Sequence, residues 1–204
     1  GKTRFKDLSV RLDKLKSKRV NLSVFLLFFS TAVLGQADYT HDGDNFSMDP
    51  TIKNYVVDLE HANKFGEIVI QDAGGRMKPL NTFSSELLRK VSKSDTYNDL
   101  NSDQVFLSIL RNPLAWYSEP IIYLKRGNDS IRNIIGVDKE SKYAAFINFF
   151  DDRGNYKLST YLEKAYKSSL PNQFEKDFID TDRKVNLFFS ALEGEILKIF
   201  PVPN

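Results

Sequence analysis

An uncharged apolar run, Val20 to Gly35 (VNLSVFLLFFSTAVLG), directly behind a strongly basic segment, most limits what this chain can become. Extended through Ala37, it reaches about 18 residues, the lower edge of what crosses a bilayer as a helix. Residues 1–19 carry eight lysines or arginines against Asp7 and Asp13, a net charge of about +6. A basic flank of this kind marks the cytoplasmic side of a span. One reading is a retained transmembrane helix over 20–37. The other is a signal peptide cleaved near Gly35-Gln36-Ala37. The retained span is favoured, because both the basic segment and the apolar run are long for a signal peptide. A buried core helix ranks third, since every face would need cover. Either membrane reading places the rest of the chain outside the cytoplasm. Phe5, Leu8, Leu12 and Leu15 recur at helical spacing among the basic residues. That segment reads as a juxtamembrane tail or as an amphipathic helix lying on membrane lipid.

Net charge over the whole chain is only +2, so the portion from Gln36 onward is acidic, at about −4. An acidic body with a basic tail argues against a nucleic-acid surface on the folded part. The chain holds no cysteine, which excludes disulfides and thiolate chemistry. Its 204 residues suffice for one domain with a real core. Residues 38–52 are polar and turn-rich and read as a linker. The domain is then expected over 53–204, an α+β fold, mostly helical, with a small antiparallel sheet.

Within that domain the densest turn chemistry lies between Gly66 and Lys90. Ile68, Val69 and Ile70 form an apolar strand core, Asp72-Ala73-Gly74-Gly75 a turn, and Arg76-Met77-Lys78 a return strand stopped by Pro79. A helix capped by Asn81 or Thr82 should follow from about Phe83. Residues 53–65 suggest a short helix. Asn101 and Gln104 have capping-box spacing, with Leu100 and Val105 as a hydrophobic staple. That helix should stop at Asn112-Pro113. Trp116 and Tyr117 follow in a loop. Residues 120–124 read as a strand able to pair with the 67–78 hairpin. A short helix over 129–136 ends at Gly136. Tyr143, Phe146, Phe149 and Phe150 suggest a helical stripe over 141–150, and residues 151–155 a turn. Leu158, Tyr161, Leu162 and Ala165 mark another helix face. A last long helix carries Phe174, Phe178, Val185, Phe188, Phe189, Leu192 and Ile196.

Phosphate-binding, zinc-protease and nucleophile-elbow motifs are absent from the sequence. Arg76 and Lys78 are the candidate anion or partner contacts. Two apart on an extended segment, they share one face. The competing reading is a solvated basic edge that guards the hairpin against aggregation. His61 and Trp116 are weaker candidates for a haem or partner contact, against a surface histidine and a core tryptophan. His41 with Asp42 and Asp44 lacks the spacing of a metal site and reads as loop.

Glu60 to Gly66, Val69 to Asp72, Gly75-Arg76-Met77-Lys78-Pro79-Leu80-Asn81-Thr82 and Ser85 to Lys90 form an ordered set. It continues through Asp103 to Leu107, Asn112 to Trp116, Pro120 to Tyr123, Lys142 to Ala144, Phe149 to Asp151, Gly154 to Leu158 and Ile199 to Pro201. The set resembles the periplasmic domain of fused ResB/CcsA-type, system II cytochrome c biogenesis proteins in their Bacteroidetes form. The resemblance implies an inner-membrane protein that exports haem and attaches it to apocytochrome c. It implies haem as the cofactor of the full-length family, and as partners the remaining membrane domain and the apocytochrome. The family's Trp-rich haem-handling motif and its flanking histidines have no counterpart here. By that resemblance the chain is a piece of such a protein, with the bulk in the periplasm. It should hold no haem alone and carry a structural or recognitional role. The alternative is a stand-alone membrane-anchored binding module without haem chemistry.

Overall fold

Local capping chemistry places the first two helices of the domain. In the computed structural model, which describes residues 48–72 and 75–197, Asp49 accepts from the Thr51 amide and starts α1 (Pro50–Lys53). Asp58 accepts from the His61 amide and starts α2 (Leu59–Gly66). The helix expected over 53–65 begins only at Leu59, and α1 precedes it in the expected linker, with residues 54–58 between them. Met48 and Ile52 are buried in the core, so the last part of the expected linker belongs to the folded body. The expectations for residues 1–47, including the basic segment, the span over 20–37 and His41, lie outside the described residues. Among the described residues no helix is long and apolar enough to cross a membrane.

Strands β1 (Val69–Gln71) and β2 (Met77–Pro79) form the expected antiparallel hairpin, with Ile70 opposite Lys78. Helix α3 (Leu80–Ser92) follows at once. Its N-cap is Pro79, with no side-chain cap, rather than Asn81 or Thr82. Proline's fixed φ suits the entry, and Asn81 is engaged elsewhere. Strands β3 (Thr96–Tyr97) and β4 (Leu100–Asn101) form a second hairpin around Asn98 and Asp99, both at positive φ (45° and 64°). Helix α4 (Ser102–Arg111) opens with the expected Asn101–Gln104 capping box. Pro113 both ends it and begins α5 (Pro113–Trp116), so Trp116 sits in a short helix rather than a loop.

The third pair corrects another expectation. Strand β5 (Pro120–Tyr123) pairs with β6 (Tyr143–Ala145), not with the first hairpin. Between them lies α6 (Asp129–Ile135), closed by Gly136 at φ 77°. The stripe expected as a helix over 141–150 is β6 followed by a 3₁₀ turn, Phe146–Phe149. Helices α7 (Ser159–Lys167) and α8 (Gln173–Leu192) complete the described chain. The class is α+β as expected, with helix in about half of the described residues and the strands in separate two-stranded sheets.

The core lies where α3, α4 and α8 meet over β5. Phe106, Trp116, Phe149, Phe178 and Phe188 are its largest fully buried side chains. Phe146 stacks on Phe189 with ring centroids 5.7 Å apart and meets Tyr117 edge-on at 5.3 Å. Such pairs add to the burial of their area.

Candidate functional site

The hairpin brings Arg76 and Lys78 to one side, as their spacing implies, and Asp72 is what they meet there. Asp72 is buried beneath the turn, and its Oδ1 accepts the Arg76 amide at 3.0 Å. Its Oδ2 takes Arg76 Nε at 3.2 Å and Nη2 at 3.1 Å, and lies 3.4 Å from Lys78 Nζ. Lys78 also reaches Glu86 Oε2 on α3 at 3.1 Å. Two cations and two carboxylates thus balance. The Lys78 side chain is only 15% exposed, held between its partners, whereas that of Arg76 is 80% exposed and open to an incoming anion. Sequence reading placed Asp72 in the turn and missed that it binds both cations.

Behind the hairpin stands a buried polar joint. Asp103, in the first turn of α4, accepts from Asn81 Nδ2 at 2.8 Å and from Ser84 Oγ, both on α3. A Cβ on Gly66, at the end of α2, would come 2.6 Å from Asp103 Oδ2. Three helices therefore converge on one carboxylate that only a glycine can approach so closely.

The remaining candidates stand apart. His61 is exposed on α2. Trp116 is fully buried, tilted against Tyr97 at 5.7 Å, and its Nε1 has no hydrogen-bond partner among the described residues. Among the described residues the one histidine, His61, faces solvent, and Trp116 is sealed in the core. Among the described residues no cluster of histidine and acidic side chains could hold a metal ion.

Beside Trp116, Glu119 is 2% exposed and takes the Tyr97 hydroxyl at 2.8 Å and the Asp49 amide at 3.4 Å. Burial pushes its pKa up, while the Tyr97 and Asp49 hydrogen bonds oppose the rise. The folded state therefore holds this proton more tightly than the unfolded chain does. Stability that Glu119 contributes at acid pH is lost as pH rises through its raised pKa. Glu119→Gln keeps both contacts, because the tyrosine hydroxyl can accept as well as donate. The expected result is a Tm above wild type at pH 8, with the gap closing toward pH 4, read by thermal unfolding across that range.

A cleft of about 740 Å³ opens on another face, between the end of α3, the end of β5 and the middle of α8. Lys90, Lys93, Lys125, Arg183 and Lys184 line it, with Asp177 and Asp180. Lys184 is 9% exposed, donates to the Tyr123 carbonyl at 2.8 Å and lies 4.9 Å from the Tyr123 ring centroid. Burial, then the charge of Lys93, brings its pKa down to about 8. Asp177 is already engaged by Lys125 at 2.9 Å and by Gln173 at 2.8 Å. Sequence reading missed this cleft, because its cations come from three distant segments. A signal was present: Asp177, Thr181, Lys184 and Phe188 share one face of α8, so a lysine falls in a buried stripe.

No protein-family model matches the chain. It is similar to the protein NrfI of Wolinella succinogenes, 30% identical over 203 residues, an alignment that covers 96% of this chain and 21% of NrfI. The chain thus spans about one fifth of that relative's length.

Proposed function

We propose that this chain is the extracytoplasmic part of a system II-type cytochrome c maturation protein, and that it recognises the apocytochrome polypeptide for a haem-handling membrane domain. The observation that carries the reading is the ordered motif set over nearly the whole domain, joined to the similarity to NrfI along 96% of the chain. In this reading residues 20–37 anchor the domain in the inner membrane, and the chemistry of haem attachment belongs to parts of the protein outside this chain. Arg76 and Lys78 are the contact edge. An acidic group of the partner would draw Arg76 from Asp72, while Lys78 stays between Asp72 and Glu86 and holds the hairpin in register.

The test uses the complete protein in its own cell, with covalent haem in c-type cytochromes as the readout. Deleting residues 53–197 should abolish holocytochrome. Arg76→Ala, which leaves Lys78 to hold Asp72 and Glu86, should lower it several-fold at unchanged protein level. Normal maturation in the deletion strain would overturn the reading. It would favour instead a binding module acting without haem chemistry, a second reading that the basic cleft on α8 supports.

A further inference from the structure

The cleft on α8 has an electrostatic deficit that the fold itself does not fill. Five cationic side chains line it against two carboxylates. Lys125 takes Asp177 at 2.9 Å, and Arg183 leans on Asp180 at 3.5 Å. Lys90, Lys93 and Lys184 have no ion-pair partner among the described residues. For Lys90 and Lys93, in and just after the last turn of α3, solvent supplies the missing stabilisation. Lys184 lacks that resource, since it is buried and its only described hydrogen bond is to one backbone carbonyl. A buried ammonium facing like charges costs free energy unless an anion meets it. A cavity of about 740 Å³ lies in the size range of small-molecule sites.

We propose that this cleft binds a small molecule carrying two or more carboxylate or phosphate groups, with Lys184, Lys93 and Lys125 as its cationic contacts. One anionic group sits against Lys184 and Lys93, near Asp177 and Asp180, whose charges are already met by Lys125 and Arg183. A second meets Lys125 and displaces part of its bond to Asp177. Tyr123 and Leu187 give the ligand an apolar wall. This site is independent of the hairpin and of the maturation role proposed above.

Below pH 8, Lys184 is charged and the site is complete. The groups facing it are Lys90 and Lys93 from α3, Tyr123 and Lys125 from β5 and its end, and Asp177 and Asp180 from α8. As pH rises through about 8, Lys184 loses its proton and affinity falls. The experiment is calorimetric titration of the 204-residue chain with pyrophosphate and, separately, with citrate, in low salt at pH 7 and pH 9.5. At least one should bind with a dissociation constant below about 1 mM, and the tighter of the two identifies phosphate or carboxylate chemistry. Lys184→Met should weaken binding about tenfold at pH 7 and remove most of the loss on going to pH 9.5. Lys93→Asn keeps a residue suited to the left-handed backbone there (φ 64°) while removing the charge, and should weaken binding about threefold. Absence of saturable binding by either anion would overturn the proposal. So would equal affinity in wild type, Lys184→Met and Lys93→Asn.

Discussion

Arg132→Met is expected to cost the domain about 4 kcal/mol, lowering Tm by about 10 °C. Arg132 is 3% exposed and has no carboxylate partner among the described residues. Its guanidinium is spent on backbone carbonyls: Ser141 at 2.9 Å, Lys125 at 3.0 Å, Leu124 at 3.2 Å and Asn128 at 3.5 Å. These carbonyls belong to the two segments that leave β5 and return to β6. One planar fork thus closes the excursion of residues 124–142 over its own helix α6. Hydrogen bonds to a charged donor contribute about 1.5–3 kcal/mol each, and less where geometry is shared. Methionine fills the volume and leaves those carbonyls facing apolar atoms. Arg132→Lys keeps the charge but not the fork, and should recover less than half of the loss. Denaturant unfolding measures the cost, and hydrogen exchange should show residues 124–142 losing protection first. A Tm within 2 °C of wild type would show that the carbonyls find water or other partners.

Asp103→Leu should cost about 3 kcal/mol through the joint of α2, α3 and α4. The substitution removes the acceptor for Asn81 and Ser84, and Ser84 is itself buried. It also removes an acidic side chain from the first turn of α4, where the helix dipole favours one. Gly66→Ala attacks the same joint from the other side, by crowding Asp103 Oδ2, and overpacking of this kind costs about 1–3 kcal/mol. The two effects should not add. In Gly66→Ala with Asp103→Ala the 2.6 Å clash goes with the carboxylate and only the 3.2 Å approach to Asn81 Cβ is left, so the double variant should be more stable than the sum of Gly66→Ala and Asp103→Ala alone implies. Strict additivity in a double-mutant cycle would refute a shared joint.

What the sequence discloses about this fold divides by range. The 69–79 hairpin, the Asn101 cap, the stop at Asn112-Pro113 and the stop at Gly136 are written in neighbouring residues, and each is found in the structure. The β3–β4 hairpin was equally local. Asn98-Asp99 is a two-residue turn with both φ positive, the local signal that joins two strands. The stripe of Tyr143, Phe146, Phe149 and Phe150 misleads for a physical reason. A 3₁₀ turn repeats every three residues, so Phe146 and Phe149 share a face just as they would on an α-helix. The choice of β6 as the partner of β5 depends on segments twenty residues apart, and no local pattern specifies it. The same holds for the candidate sites. Arg76 and Lys78 announce themselves by spacing, but their neutralisation by Asp72 and Glu86 and the assembly of the lysine cleft are tertiary facts.

The position of α8 has a consequence for how the chain reaches its native state. This helix is the last described element, yet it contributes Phe178, Val185, Phe188, Phe189 and Leu192 to the core and packs on α3, α4, α7 and β5. Every sheet before it is a two-stranded clip, and such pairs are marginal until something covers them. A polypeptide emerging from ribosome or translocon N-terminus first therefore carries marginal two-stranded clips and an open apolar face until α8 is released. Completion is concentrated in one late docking event, and during that interval the exposed face is a natural client for a holding chaperone.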